Sequence, residues 1–163
     1  MNAKDVITNV LDMSDRITKS YLKDLTAADL LIRPVPGQNH IAWQLGHLLA
    51  TERWIVEAIK PGVSPPLPPD FEEGHGREKF TVDDPSLYLS PEKYIALIDA
   101  QRVATKQVLA DLDDAVLDDP APEKMRQMSP TVGQALLMNG NHYMMHVGQY
   151  VTVRRKLGKP IAM

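Results

Sequence analysis

Residues 129–158, SPTVGQALLMNGNHYMMHVGQYVTVRRKLG, decide how the chain folds. Ser129-Pro130 offers a capping side chain followed by a proline, whose missing N–H is no loss in a first helical turn. From there the pattern predicts one helix running to Leu157. Arg154, Arg155 and Lys156 fall in its last turn, where cations meet the negative end of the helix dipole, and Gly158 lies just beyond. Ala135, Met138, His142, His146, Gln149 and Val153 recur at three- and four-residue steps, so they share one face. A long helix with such a stripe needs other elements to cover it.

Those elements lie upstream. Val6, Val10, Met13, Ile17 and Tyr21 predict a first helix with one apolar stripe. Thr26 and Asp29 resemble a capping box for a short helical turn, after which Pro34, Pro36 and Gly37 stop regular structure. Asn39 is the expected N-cap of a second helix from about His40 to Ile59, ended by Pro61-Gly62. Ser90-Pro91-Glu92 starts a third. Tyr94, Ile98, Gln101, Thr105, Val108 and Leu112 trace its inner face, Leu97, Ala104 and Leu109 widen it, and Asp111 to Pro122 breaks it. Four long helices, with no alternating strand and no fixed-period repeat, predict an all-α four-helix bundle. Between helices two and three, Pro61, Pro65, Pro66, Pro68, Pro69 and Pro85 exclude a long helix or a central strand. The segment reads as a long crossover over the bundle surface, of a length often used for a lid or a partner surface.

At 163 residues the chain is expected to form a single helical-bundle domain over 1–163, with 44% hydrophobic and 24% charged residues in ordinary globular proportion. The formal charge of −3, the pI near 5.9 and the lack of a Lys/Arg cluster argue against nucleic acid and anionic membranes as partners. The amino terminus has polar residues at every turn and no apolar signal core, and no segment approaches the roughly 20 apolar residues that span a bilayer. Cytoplasmic residence is the expectation. With no cysteine in the chain, disulfides, thiolate ligands and a cysteine nucleophile are excluded, so a soft-metal site must use histidine.

His142 and His146, four residues apart, differ by only roughly 40° around a helix axis. They therefore point the same way, into a stripe expected to face the bundle interior, where unpaired imidazoles would be desolvated without compensation. His47, with Trp43 and Trp54 on its face, is the third candidate ligand. Three imidazoles from two helices leave a coordination position open, which separates catalytic from structural zinc-type sites. Neutral imidazole suits zinc, nickel, copper and iron alike. The bland alternatives are a core histidine at 47 bonded to a carbonyl and two ordinary histidines on a half-exposed face. His40, near a helix start, is at best an outer residue of such a site. His75, beside Glu72 and Glu73, reads as part of a solvated loop. Gln149 is a candidate for orienting a ligand or a bound water, or a polar residue at a helix crossing. The eight methionines read as core filling. No GxSxG, Walker loop, GxGxxG, HExxH or carboxylate-rich di-iron pattern occurs.

The run Asn141-His142-Tyr143-Met144-Met145-His146-Val147-Gly148-Gln149, followed by Arg154, Arg155, Leu157 and Gly158, resembles the NHxxxHxGQ last helix of the DinB/YfiT-like family. Asn39-His40-Ile41-Ala42-Trp43-Gln44-Leu45-Gly46-His47-Leu48 is similar to that family's second helix, in which a tryptophan precedes the first metal histidine by four residues. Val147 stands where many members carry arginine. The resemblance implies an up-down-down-up bundle, a divalent metal on His47, His142 and His146 (zinc or nickel first, then iron, manganese or copper), and a homodimer. It further implies an S-transferase that uses a low-molecular-weight thiol such as bacillithiol or mycothiol on a small-molecule substrate. A metal-dependent hydrolase with the same ligands and a non-catalytic, metal-stabilised stress or binding module are the alternatives.

Overall fold

The computed structural model describes residues 1–161; the last two positions of the expected 1–163 domain lie outside them. The order is α1 (Ala3–Leu22), α2 (Ala27–Leu30), α3 (Ile41–Ile59), α4 (Phe71–His75), α5 (Pro91–Asp111) and α6 (Val132–Lys156), with short 3₁₀ turns in the connections. Among the described residues there is no strand, only an isolated bridge between Pro120 and Thr131. The four long helices, of 19 to 25 residues, make the bundle.

Side-chain pairings give the direction of each helix. Ile7 and Leu11 of α1 share a core cluster with Val132 and Leu136 of α6, and Arg154 near the end of α6 bonds the Tyr21 carbonyl at the end of α1, so these helices are parallel. Lys60–Asp111 joins the ends of α3 and α5, and Thr105 meets Glu52 midway, so these too are parallel. Lys106–Asp12 and Lys19–Asp99 set α1 against α5, and Gln44 bonding His146 while Ile55 packs with Ala135 sets α3 against α6. The bundle is up-down-down-up, the arrangement that the family resemblance implies, with the long Pro-rich crossover between α3 and α5.

Two caps lie one or two residues from where the sequence pattern puts them. His40, not Asn39, caps α3, its Nδ1 accepting the Trp43 N–H at 3.1 Å. Thr131, not Ser129, caps α6, in a capping box with Gln134. Ser129 is buried, its hydroxyl turned to the Met138 sulfur. At the far end of α6, Gly158 (φ +67°) adopts the left-handed conformation, and Lys159 N–H and Gly158 N–H close back onto the Arg154 and Arg155 carbonyls.

The buried face of α1 is also rotated from the expected stripe. Val6 and Met13 are exposed, whereas Ile7, Leu11, Ser14, Thr18 and Tyr21 are buried. Ser14 and Thr18 can turn inward because their hydroxyls donate to the carbonyls of Leu11 (2.9 Å) and Ser14 (2.7 Å) in the same helix. These hydroxyls belong to a polar layer that divides the core. One apolar cluster holds Tyr21, Leu22, Leu45, Leu48, Ile98 and Tyr150, and a second holds Ile7, Leu11, Leu109 and Leu136, with a small third one around Ile55, Met125 and Ala135. Between the first two, Arg102 of α5 meets Glu52 of α3 at 3.2 Å, with Thr105 donating to Glu52 at 2.6 Å and the guanidinium lying over the Tyr143 ring. Burial raises the Glu52 carboxyl pKa against the opposing pull of Arg102 and Thr105.

Removing one member of this pair strands the other. Arg102→Met is expected to lower unfolding free energy by about 3–5 kcal/mol in urea at pH 7, and the double variant Glu52→Leu/Arg102→Met to recover most of it. A single variant as stable as wild type would mean that the two charges are not paired in solution.

Candidate metal centre

α3 and α6 cross where His47 faces His142 and His146. The Nε2 atoms of His142 and His146 are 3.1 Å apart, and one ring nitrogen from each of the three histidines lies within 4.8 Å of the others. Two imidazole nitrogens on one tetrahedral ion, each at roughly 2.0–2.1 Å, sit roughly 3.3 Å apart, so this group could hold a divalent cation.

The surroundings fix ring orientation and proton position. Gln44 donates from Nε2 to the Asn39 carbonyl at 2.7 Å, which turns its Oε1 toward His146 Nδ1 at 2.8 Å. His146 Nδ1 must therefore carry the proton, leaving the Nε2 lone pair to face His142 and His47. The His47 ring lies flat on Trp43, centroids 5.0 Å apart and planes 6° from parallel. Trp43 is held in turn by its indole N–H, which donates to the Gly76 carbonyl at 3.1 Å. Burial lowers the pKa of all three imidazoles, to about 4 for His142 and His146, with the neighbouring rings adding to it. For His47 the burial effect is reinforced by the charge of Arg77. Neutral imidazole is the form a metal needs.

The imidazoles line a cleft of about 820 Å³ together with Asn39, Trp43, Thr51, Trp54, Arg77, Met128, Met138, Asn141 and Met145. One side of the cleft comes from the crossover, which is fastened to the bundle. His40 donates from Nε2 to the Val82 carbonyl at 3.0 Å, and Arg33 holds Asp83 and the Phe80 carbonyl. His75 is buried and not part of a solvated loop. Its Nδ1–H donates to the Phe71 carbonyl, its Nε2 accepts from the Tyr94 hydroxyl, and its ring sits so close to Gly46 that a Cβ there would come within 1.8 Å of Cδ2.

The three histidines singled out by spacing thus come together, and His40 serves as a helix cap and loop anchor. Gln149 is half-buried and is not among the residues lining the cleft; the amide that meets a ligand histidine is Gln44. The available signal for Gln44 was a lone amide in the apolar first turn of α3, three residues before His47. Arg77 gave no signal, since a basic residue in a loop is ordinary. Val147 points into the core, where no arginine would fit without a partner.

A family model described as the DinB superfamily matches residues 11–150. A solved structure, described as the conserved protein of locus from Enterococcus faecalis, is similar with a TM-score of 0.68 and 22% identity, over 98% of this chain and 99% of that one. At that identity the likeness speaks for the fold alone. No curated protein sequence matches the chain.

A histidine that titrates near 6.5 when unfolded and near 4 when folded leaves the unfolded state with more bound protons in between. Metal-free protein is therefore expected to lose stability as pH falls from about 6.5 toward about 4. His142→Gln/His146→Gln should give a shallower slope, compared by urea midpoints at pH 7 and 5. Equal slopes would place both rings in water.

Proposed function

The chain belongs to the DinB superfamily, and from that premise we propose that it is a metal-dependent S-transferase that joins a low-molecular-weight thiol to a small electrophile. The observation that carries this is the convergence of three neutral imidazoles, with ring nitrogens within 4.8 Å, on one side of an open cleft. His47, His142 and His146 would hold one divalent ion, zinc or nickel in the first place, since three imidazoles accept several. Such an ion lowers the pKa of a thiol or water bound to it, so that the nucleophile exists at neutral pH.

The chain's own residues do the rest. Gln44 keeps the proton on His146 Nδ1, and Trp43 holds the His47 ring by stacking. Trp54, Met138 and Met145 offer apolar surface that excludes water from an electrophile. In net terms a C–S bond forms, the bond to the leaving group breaks and the thiol proton is released. The same reading has the chain acting as a cytoplasmic homodimer on a small molecule, with neither nucleic acid nor membrane as partner.

Elemental analysis of untagged protein should find near one divalent ion per chain, lost in His47→Ala and in His142→Ala. Gln44→Leu should still fill at saturating metal but bind about 10–100-fold more weakly. Metal retained in both histidine variants would end the metal assignment. With metal loaded, turnover of a chlorinated aromatic electrophile should require added thiol and stop with chelator. Thiol-independent hydrolysis of an ester or amide would assign a hydrolase instead, and a cobalt-substituted site with no exchangeable water would assign a non-catalytic module.

A further inference from the structure

The cleft has three chemically distinct parts. The imidazoles form one, and Trp54, Met128, Met138 and Met145 form an apolar wall, of which Trp54, Met128 and Met145 are exposed. Solvent-facing apolar side chains grouped beside polar ligating groups are what a bound organic molecule would cover. The third part is Arg77, which also lines a smaller recess of about 250 Å³ next to the cleft, shared with His47, Thr51 and Trp54.

Arg77 comes from the crossover, yet its place is set. The residue before it, Gly76, accepts the Trp43 indole N–H, and His75 is packed under α3 at Gly46. Carboxylates are at hand: Glu72 lines the same small recess, and Glu78 lies beside Gly76. Even so, Arg77 makes no side-chain hydrogen bond or ion pair among the described residues; Arg16 and Arg155 make none either, but of the three only Arg77 lines the cleft. Arg77 is exposed, and a guanidinium presents five donors in a fork that matches a planar oxyanion.

Resting on the enzyme reading above, we propose that Arg77 selects the electrophile: the substrate carries a carboxylate on an apolar, preferably aromatic body. The body packs on Trp54 and the methionines, and the carboxylate meets Arg77, which leaves the reacting carbon on the histidine side. The apolar wall assigns the carboxylate to the electrophile and not to a hydrophilic thiol.

Both tryptophans of the chain line this cleft, so their fluorescence reads ligand binding directly. Phenylacetate and its neutral counterpart phenylacetamide are titrated into metal-loaded and chelated protein, wild type, Arg77→Gln and Arg77→Lys, with N-acetylcysteine as a hydrophilic carboxylate thiol. Wild type should prefer phenylacetate in both forms. Arg77→Gln should bind it about fivefold more weakly with phenylacetamide unchanged, and Arg77→Lys should fall between. A preference that survives Arg77→Gln, or no preference in wild type, overturns the proposal. So does a loss confined to N-acetylcysteine, which would assign the anion to the thiol. Metal content, measured on the same samples, separates the two ideas: metal bound without preference leaves the enzyme reading standing, and preference without metal uptake leaves Arg77 standing while the metal reading fails.

Discussion

Because α3 and α5 are consecutive long helices that run in the same direction, the chain has to travel back along the bundle between them. For a 19-residue helix that is a return of about 28 Å. The segment that makes this return is the Pro-rich crossover, and its path over α3 places Phe71, His75, Gly76 and Arg77 beside His47. A hairpin between the two helices would have left that face of α3 open. The cleft is therefore a result of topology: two of its sides are helices, and another is the connection that a parallel pair makes unavoidable. The prolines fit this task, since five of them fall before α4, where the chain is irregular, and a stiff stretch with few backbone donors loses less entropy on being laid down.

Across the bundle, the polar layer of Ser14, Thr18, Glu52, Arg102 and Thr105 separates two apolar clusters. Apolar side chains alone tolerate small shifts of one helix along another, whereas a buried carboxylate and guanidinium meet in one register only. That register keeps α3 aligned with α5, and the Gln44–His146 hydrogen bond keeps α3 aligned with α6. We regard specificity of alignment, and not net stability, as the role of the buried pair.

The class of fold, the helix order and the shared face of His142 and His146 were legible because each rests on helical periodicity, which is local; that His47 meets them across the bundle was an implication of the family resemblance. What escaped was set by contacts distant in the chain. The α1 face was read from its valines and methionine, but back-bonded hydroxyls let Ser14 and Thr18 take the inner positions. His75 sits in a segment without periodicity, and only the absence of a side chain at Gly46 makes room for it. Glu52 and Arg102 each look like surface residues until they are seen opposite one another. Gln44 was visible as a residue but not as a partner, because its significance lies 102 positions away.

The first and last long helices lie side by side, and α6 also packs against α3. During synthesis, which proceeds from the amino terminus, α1 thus waits for its principal neighbour until α3, the crossover and α5 have all been made. Two of the three imidazoles arrive with that same helix. A nascent chain that stops short of Thr131 has an unfilled groove where α6 belongs and only one of the three histidines, so neither closure of the core nor a complete ligand set can precede the synthesis of α6. Assembly of the site and completion of the fold become the same late event.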